Sequence, residues 1–228
     1  MLQDHTDFTF EPKNASEKIY LKLKQMLFDG NIVPGQKLQY QDMAETFNVS
    51  RTPVKEAFQM MSKEGYLTLR PNKGFYVSEI HPKEIVDLYE LRITLELLAL
   101  KKAIENQNPD NLNILRNAIE IHAEDATKTI SRNRLLTDTN VHLAIATMSH
   151  NKALYEFLVM IFSKIYLKIK VENLSQNRGE VAQREHWQIY DAIVKKDLSS
   201  AEVSMHAHII RSKENDVAAQ SYLENGES

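Results

Sequence analysis

From Ser16 onward, apolar side chains fall at Ile19, Leu21, Leu23, Met26 and Leu27, the pattern of an amphipathic helix ending near Gly30. Asn31-Ile32-Val33-Pro34-Gly35 then reads as a turn, with Pro-Gly its strongest signal. The pattern predicts a short helix over Gln41–Phe47, a tight turn at Asn48-Val49 and a third helix over Arg51–Gly65. Ser50 is placed to cap that third helix. Pro53 is tolerated in its first turn, where N–H groups have no intrahelical partner. Two short β-prone runs, Tyr66–Leu69 and Gly74–Val77, flank Arg70-Pro71-Asn72-Lys73 and read as a hairpin.

Beyond Pro82 nearly everything is helical in period. Helices are predicted near 82–106, 109–127, 131–149, 151–175, 179–196 and 198–224. Breaks fall at Asn108-Pro109, Ser149-His150-Asn151, Asn177-Arg178-Gly179 and Asp197, and connections this short imply antiparallel neighbours. The expected fold is mainly α. A winged helix-turn-helix of three helices plus a β-hairpin precedes an all-α antiparallel bundle of about six helices. The expected divisions are a loose tail over 1–13, a DNA-binding unit over 14–78 and a helical effector-binding and dimerisation unit over 79–228. Ser78–His81 is the expected hinge.

Composition narrows the chemistry. The 228 residues are 43% hydrophobic and 26% charged, an ordinary globular balance, so disorder is expected only in the tails. The absence of cysteine excludes disulfides and thiolate ligands, so any metal must use histidine and carboxylate. The first ten residues lack the apolar run of a signal peptide, and Leu154–Ile169 is interrupted by Glu156, Ser163, Lys164 and Lys168. The expected location is therefore the bacterial cytoplasm, with no membrane span. Net charge is −3, divided as +1 through Ser78 and −4 after it. DNA contact must then come from a local cluster of cations.

Such a cluster exists. Met43, Ala44, Phe47, Val49, Val54 and Ala57 can form the small core between two helices of a helix-turn-helix. The start of the second helix displays Arg51, Thr52 and Lys55, with Arg51 and Lys55 sharing a face at i, i+4. Recognition helices present such N-terminal residues to base edges in the major groove, while hydroxyls such as Ser50 and Thr52 suit phosphate. Arg70, Lys73 and Gly74 at the hairpin tip would approach the neighbouring backbone or minor groove. Exposed cations on a helix also commonly face only water, or a protein partner.

Val49-Ser50-Arg51-Thr52-Pro53-Val54-Lys55-Glu56-Ala57 resembles the recognition helix of the GntR family of bacterial repressors. Ile32–Leu38 resembles that family's preceding turn, and Glu64–Leu67 with Gly74–Val77 resembles its wing. The resemblance implies that Arg51 and Lys55 touch bases and that Thr52, Lys73 and Gly74 hold phosphate or minor groove. Two positions depart from it. Lys55 stands where the family usually has Arg, which weakens bidentate guanine reading. Gln41 stands where some relatives carry a contacting Arg, so the operator sequence does not carry over.

In the second unit, Asp138 and His142 lie i, i+4 on one predicted helix, with His186 and His208 on the last two. Each sits among apolar residues, and together they make a candidate site for a divalent transition metal. His5, His81, His122, His150 and His206 show no such arrangement and read as incidental. Tyr89-Glu90-Leu91-Arg92 with Leu95-Glu96, Asp138-x3-His142, Ser149-x-Asn151-x2-Leu154, Glu185-His186 and Met205-x2-His208 resemble the FCD effector domain of GntR regulators. The resemblance implies that Asp138, His142, His186 and His208 are ligands to zinc, nickel or manganese, and that a small organic acid completes the coordination. Arg92 is then a candidate carboxylate partner, or else an ordinary ion pair of Glu96. The expected protein is no enzyme but a homodimeric repressor whose operator binding an effector controls. A metal-dependent hydrolase and a purely structural metal are the competing readings.

Overall fold

The computed structural model describes residues 12–126, 128–171 and 174–221. Apart from residues 12 and 13, the expected N-terminal tail lies outside these, as do the last three residues of the expected final helix. The chain divides into two compact units. One runs up to Ile80 and takes in Leu167–Lys170; the other comprises the chain from His81 without those four residues.

The first unit begins with α1 (Ala15–Phe28), where Asn14 accepts a hydrogen bond from Glu17 N–H at 2.9 Å. After β1 (Lys37–Leu38) come α2 (Tyr40–Phe47), α3 (Arg51–Lys63), β2 (Leu67–Arg70) and β3 (Gly74–Val77). The strands form an antiparallel sheet in the order β1-β3-β2, with Leu67 opposite Val77 and Arg70 opposite Gly74. α2 ends at Asn48 in the left-handed conformation (φ 53°), which turns the chain sharply toward α3. Leu23 and Leu27 of α1 and Val54, Ala57, Phe58 and Met61 of α3 are fully buried, so α1 packs across α3. Phe58 also meets the rings of Tyr40 and Phe75, at 5.0 and 5.5 Å between centroids, which ties α2 and the sheet to the same core.

Three local readings change. β1 falls where only a turn and coil were expected, because two residues are too few to show a period. The helix expected over Arg51–Gly65 stops at Lys63, and Gly65 takes φ 83° as the chain leaves it. Ser50 occupies the N-cap position of α3, yet its side chain makes no capping bond.

The second unit contains α4 (Pro82–Glu105), α5 (Pro109–Ala126), α6 (Arg132–Met148), α7 (Lys152–Lys168) apart from its last two residues, α8 (Arg178–Val194) and α9 (Leu198–Ser221). α4 packs on α9 and α6, α5 on α6 and α8, and α8 on α9. α6 is buried nearly all round, with Leu136, Val141, Leu143, Ala144, Ile145, Ala146 and Met148 in the core. The helix expected over 151–175 ends at Lys168. Its apolar run continues through Ile169, but Leu167–Lys170 belongs to the first unit, where Lys170 pairs with Glu79. Hydrophobicity marks burial there and not continued helix. Among the described residues, no helix is long and apolar enough to cross a membrane.

Candidate metal centre and DNA-facing surface

The N-terminal turn of α3 carries Arg51, Thr52 and Lys55, all exposed, with Ser50 exposed just ahead of it. Arg51 and Lys55 make no ion pair among the described residues. Gln41 on α2 is also exposed, but its amide donates to Glu45. At the hairpin tip, Lys73 is exposed, while the Arg70 guanidinium lies over the Tyr76 ring, 4.2 Å from its centroid. Gly74 has φ 92°, a conformation that disfavours side-chain-bearing residues and keeps the strand's first residue bare.

In the helical unit, α6 supplies Asp138 and His142 from one face, α8 supplies His186 and α9 supplies His208. One ligand atom from each lies within 4.8 Å of all the others. The three imidazoles are essentially inaccessible, whereas the Asp138 side chain is 26% exposed and marks the open side. Asp138 Oδ1 lies 3.7 Å from His186 Nε2, and Oδ2 lies 3.9 Å from His142 Nε2.

Carboxylates set the protonation of two rings. Glu96, on α4, accepts from His142 Nδ1–H and, at 2.8 Å, from Arg92 Nε–H. Glu185, on α8, accepts from His208 Nδ1–H at 2.8 Å and from Arg178 Nη1–H at 2.8 Å, with Arg211 on its second oxygen. With both Nδ1 atoms turned to carboxylates, the Nε2 atoms of His142 and His208 are the ones that face the cluster. These nitrogens face each other at 3.1 Å. A proton or a metal ion held between them satisfies both nitrogens. Nitrogens about 2.1 Å from one ion subtend roughly 3.0–3.4 Å at about 90–109°, so the observed spacing fits. His186 has neither ring nitrogen hydrogen-bonded among the described residues, which is costly for a buried group.

The electrostatics favour the ligand forms. Burial and neighbouring imidazoles push His186 and His208 well below the ordinary histidine range, so both are neutral. Burial raises the Asp138 carboxyl, but His186, His122, His142 and His208 outweigh it and hold the group ionised far down the scale. Burial likewise opposes ionisation of Glu96, yet His142 and Arg92 bring its carboxyl down to about 2. Arg92 is thus the ion pair of Glu96. It also stacks over Tyr89 and Phe162 and keeps Nη2 buried without a hydrogen-bond partner among the described residues.

His122 requires a correction. Set aside as incidental, it is buried on α5 against the cluster, its ring centroid 5.1 Å from that of His186. The signal was present in the sequence: Leu115, Ile119 and His122 fall at i, i+4 and i+7 on the buried face of one helix. Glu185 was read only as a neighbour of His186, and Arg178 only as a loop residue. Both partner the cluster, and nothing local announced that.

A winged helix-turn-helix joined in one chain to a helical unit of this kind defines a class: DNA-binding regulators with a separate sensing module. Residues 15–77 match the bacterial regulatory proteins of the gntR family, and residues 87–211 match the FCD domain. This chain belongs to the GntR family of bacterial transcriptional regulators and carries an FCD domain. An uncharacterized HTH-type transcriptional regulator of Bacillus subtilis (strain 168), YdhC, is 29% identical over 84% of this chain and 86% of its own length. The HTH-type transcriptional repressor RspR of Escherichia coli (strain K12) is 27% identical over 86% of each. The solved structure of Escherichia coli McbR/YncC superposes with a TM-score of 0.73 at 22% identity, over 92% of this chain and 99% of that one, and supports the fold. Both families bind regulatory ligands, operator DNA and small-molecule effectors respectively, and are not enzymes.

Proposed function

We propose that this chain is a homodimeric repressor of the bacterial cytoplasm whose operator binding is controlled by a small organic acid at a divalent transition-metal centre. Residues 14–78 would hold DNA and residues 79–228 would sense the acid and dimerise. Arg51 and Lys55 would read base edges, Ser50 and Thr52 would hold phosphate, and Gln41, Arg70, Lys73 and Gly74 would border the neighbouring backbone or minor groove. Asp138, His142, His186 and His208 would hold zinc, nickel or manganese, with Glu96 and Glu185 orienting two of the rings. The bound ion would act as a Lewis acid toward a carboxylate. Arg92, held by Glu96, would supply Nη2 to the same carboxylate.

The observation that carries this reading is the convergence of Asp138, His142, His186 and His208, with two buried Nε2 atoms 3.1 Å apart beside a histidine with no hydrogen-bond partner for either nitrogen among the described residues. The partly exposed Asp138 favours a ligand-accessible centre over a closed structural one. The name of the relative RspR supports the sign of regulation. The test compares wild type with His186→Ala/His208→Ala after exhaustive dialysis. Elemental mass spectrometry reads the metal, and fluorescence anisotropy reads binding to operator fragments selected from a random pool. Near-stoichiometric metal in wild type only, with DNA affinity that changes on adding an acid, is the expected result. Metal-independent DNA binding that ignores every acid overturns the proposal.

A further inference from the structure

His122 lies outside the converging four-residue set, yet it faces it. Its ring is buried, and its Nε2 lies 3.7 Å from Asp138 Oδ1, the oxygen that also stands 3.7 Å from His186 Nε2. A hydrogen-bond chain fixes its tautomer. Thr137 Oγ1–H donates to the Arg134 carbonyl at 3.1 Å, so the Thr137 oxygen can only accept from the imidazole. It accepts from His122 Nδ1–H at 3.3 Å. Nε2 is therefore the unprotonated nitrogen, and its lone pair points at the cluster. Burial, with Arg134, His142 and Arg178 nearby, outweighs Asp138 and keeps the ring neutral.

Asp138 cannot satisfy that lone pair, because a carboxylate only accepts. Nε2 has no hydrogen-bond partner among the described residues. An acceptor left so costs about 1–3 kcal/mol, which an incoming donor recovers. Asp138 is also the accessible member of the cluster, and His122 Nε2 stands 3.7 Å from it.

We propose that His122 determines specificity in the effector site, its Nε2 accepting a hydrogen bond from a hydroxyl on the bound acid, so that the chain prefers hydroxy acids to the matching deoxy acids. The inference rests on the acid-effector reading above and adds the chemical class of the acid. A carboxylate alone brings no donor to Nε2. A hydroxyl brings one without charge. An ammonium would also donate, but a divalent ion held by Asp138 and the three imidazoles repels a further cation. A site built to bond a hydroxyl discriminates strongly against the analogue lacking it, since its own polar group is then stranded.

The experiment uses dialysed, metal-loaded full-length protein and isothermal titration calorimetry with three matched pairs: glycolate and acetate, L-malate and succinate, 3-hydroxybutyrate and butyrate. Wild type is compared with His122→Phe, which removes the acceptor, and His122→Gln, which keeps one in Oε1. Metal content measured on each sample separates loss of acid from loss of ion. The hydroxy member of at least one pair is expected to bind roughly 10–100-fold tighter in wild type. That ratio should fall to about one in His122→Phe and partly return in His122→Gln. Nitrogen NMR of labelled wild type gives a reading that needs no variant: the His122 Nε2 signal should be unprotonated in metal-loaded protein and should shift on hydroxy-acid addition alone. Equal affinity within every pair, or a preference that survives in His122→Phe, overturns this inference and leaves the acid-effector reading standing. Failure of all six acids to bind overturns both.

Discussion

Replacing Glu96 by Gln tests whether the cluster is organised from outside its ligands. Glu96 is buried, with one oxygen on Arg92 Nε–H at 2.8 Å and the other on His142 Nδ1–H. Glutamine is nearly isosteric, but its amide presents one acceptor and one donor. Whichever way it turns, a donor meets Arg92 or His142, and the Arg92 charge loses its buried partner. The cost follows from the carboxyl's displacement from an ordinary 4.5 to about 2, a stabilisation of about 3 kcal/mol. That matches the roughly 3–5 kcal/mol expected when one member of a buried pair is removed. The sign is that of a depressed carboxylate. The contribution is full at neutral pH, begins to fade as pH falls below the unfolded value near 4.5, and is gone below about 2. Urea unfolding of metal-free protein at pH 7 should show the loss, and the deficit of Glu96→Gln should shrink toward pH 3. Competition with a chromophoric chelator should show metal affinity reduced about 10–100-fold, because His142 no longer has its ring held and its basicity raised. A variant with metal affinity within threefold of wild type and an unchanged urea midpoint would refute the reasoning.

Two further outcomes are expected. Arg51→Ala should cost about 1–3 kcal/mol of operator binding and relax the base preference at one position, whereas Lys73→Ala should weaken all sequences alike and lower the salt slope by about one, read by anisotropy across salt concentrations. Asp216 is raised by burial from 3.8 to about 6 while its carboxyl accepts from Tyr89 O–H at 2.6 Å. A raised acid destabilises the fold above its folded value, so Asp216→Asn should gain up to about 3 kcal/mol at pH 8 and flatten the loss of stability between pH 4 and 6, measured by thermal melts.

What the sequence disclosed and what it hid divide along a physical line. Helices announce themselves by local period, so α4, α5, α6, α8 and α9 begin and end within a residue or two of expectation over the described residues. Asp138 and His142 were legible because one helix turn joins them. His186 and His208 stood out only as imidazoles at apolar positions, and the family pattern joined them to the set. The pairing of Glu96 with His142 spans 46 residues and that of Glu185 with His208 spans 23, so packing decides them and no local spacing does. β1 was invisible because two residues carry no period, and the end of α7 because a buried coil looks as apolar as a buried helix. His122 was the avoidable omission, since its i, i+7 relation to Leu115 already placed it inward.

The same packing makes the helical unit's stability depend on what it binds. Burial holds His186 and His208 neutral, and the hydrogen bonds of Glu96 and Glu185 aim the Nε2 atoms of His142 and His208 at each other 3.1 Å apart. The metal-free fold therefore keeps three imidazoles out of water, His186 with no hydrogen-bond partner among the described residues, a cost that the unfolded chain with solvated imidazoles does not carry. A divalent ion relieves it only in the folded state, so binding must stabilise by mass action. At about one hundred times the dissociation constant this amounts to about 2.7 kcal/mol. For a chain of this size roughly 2–4 °C accompanies each kcal/mol, so zinc, nickel or manganese should raise the melting temperature by about 5–10 °C, and a chelator should reverse it. His208→Ala should abolish the rise, because it removes one of the four ligands. If chelation leaves the wild-type melt unmoved at every metal concentration, the facing nitrogens share a proton instead of an ion, and the centre is a hydrogen-bonded cluster.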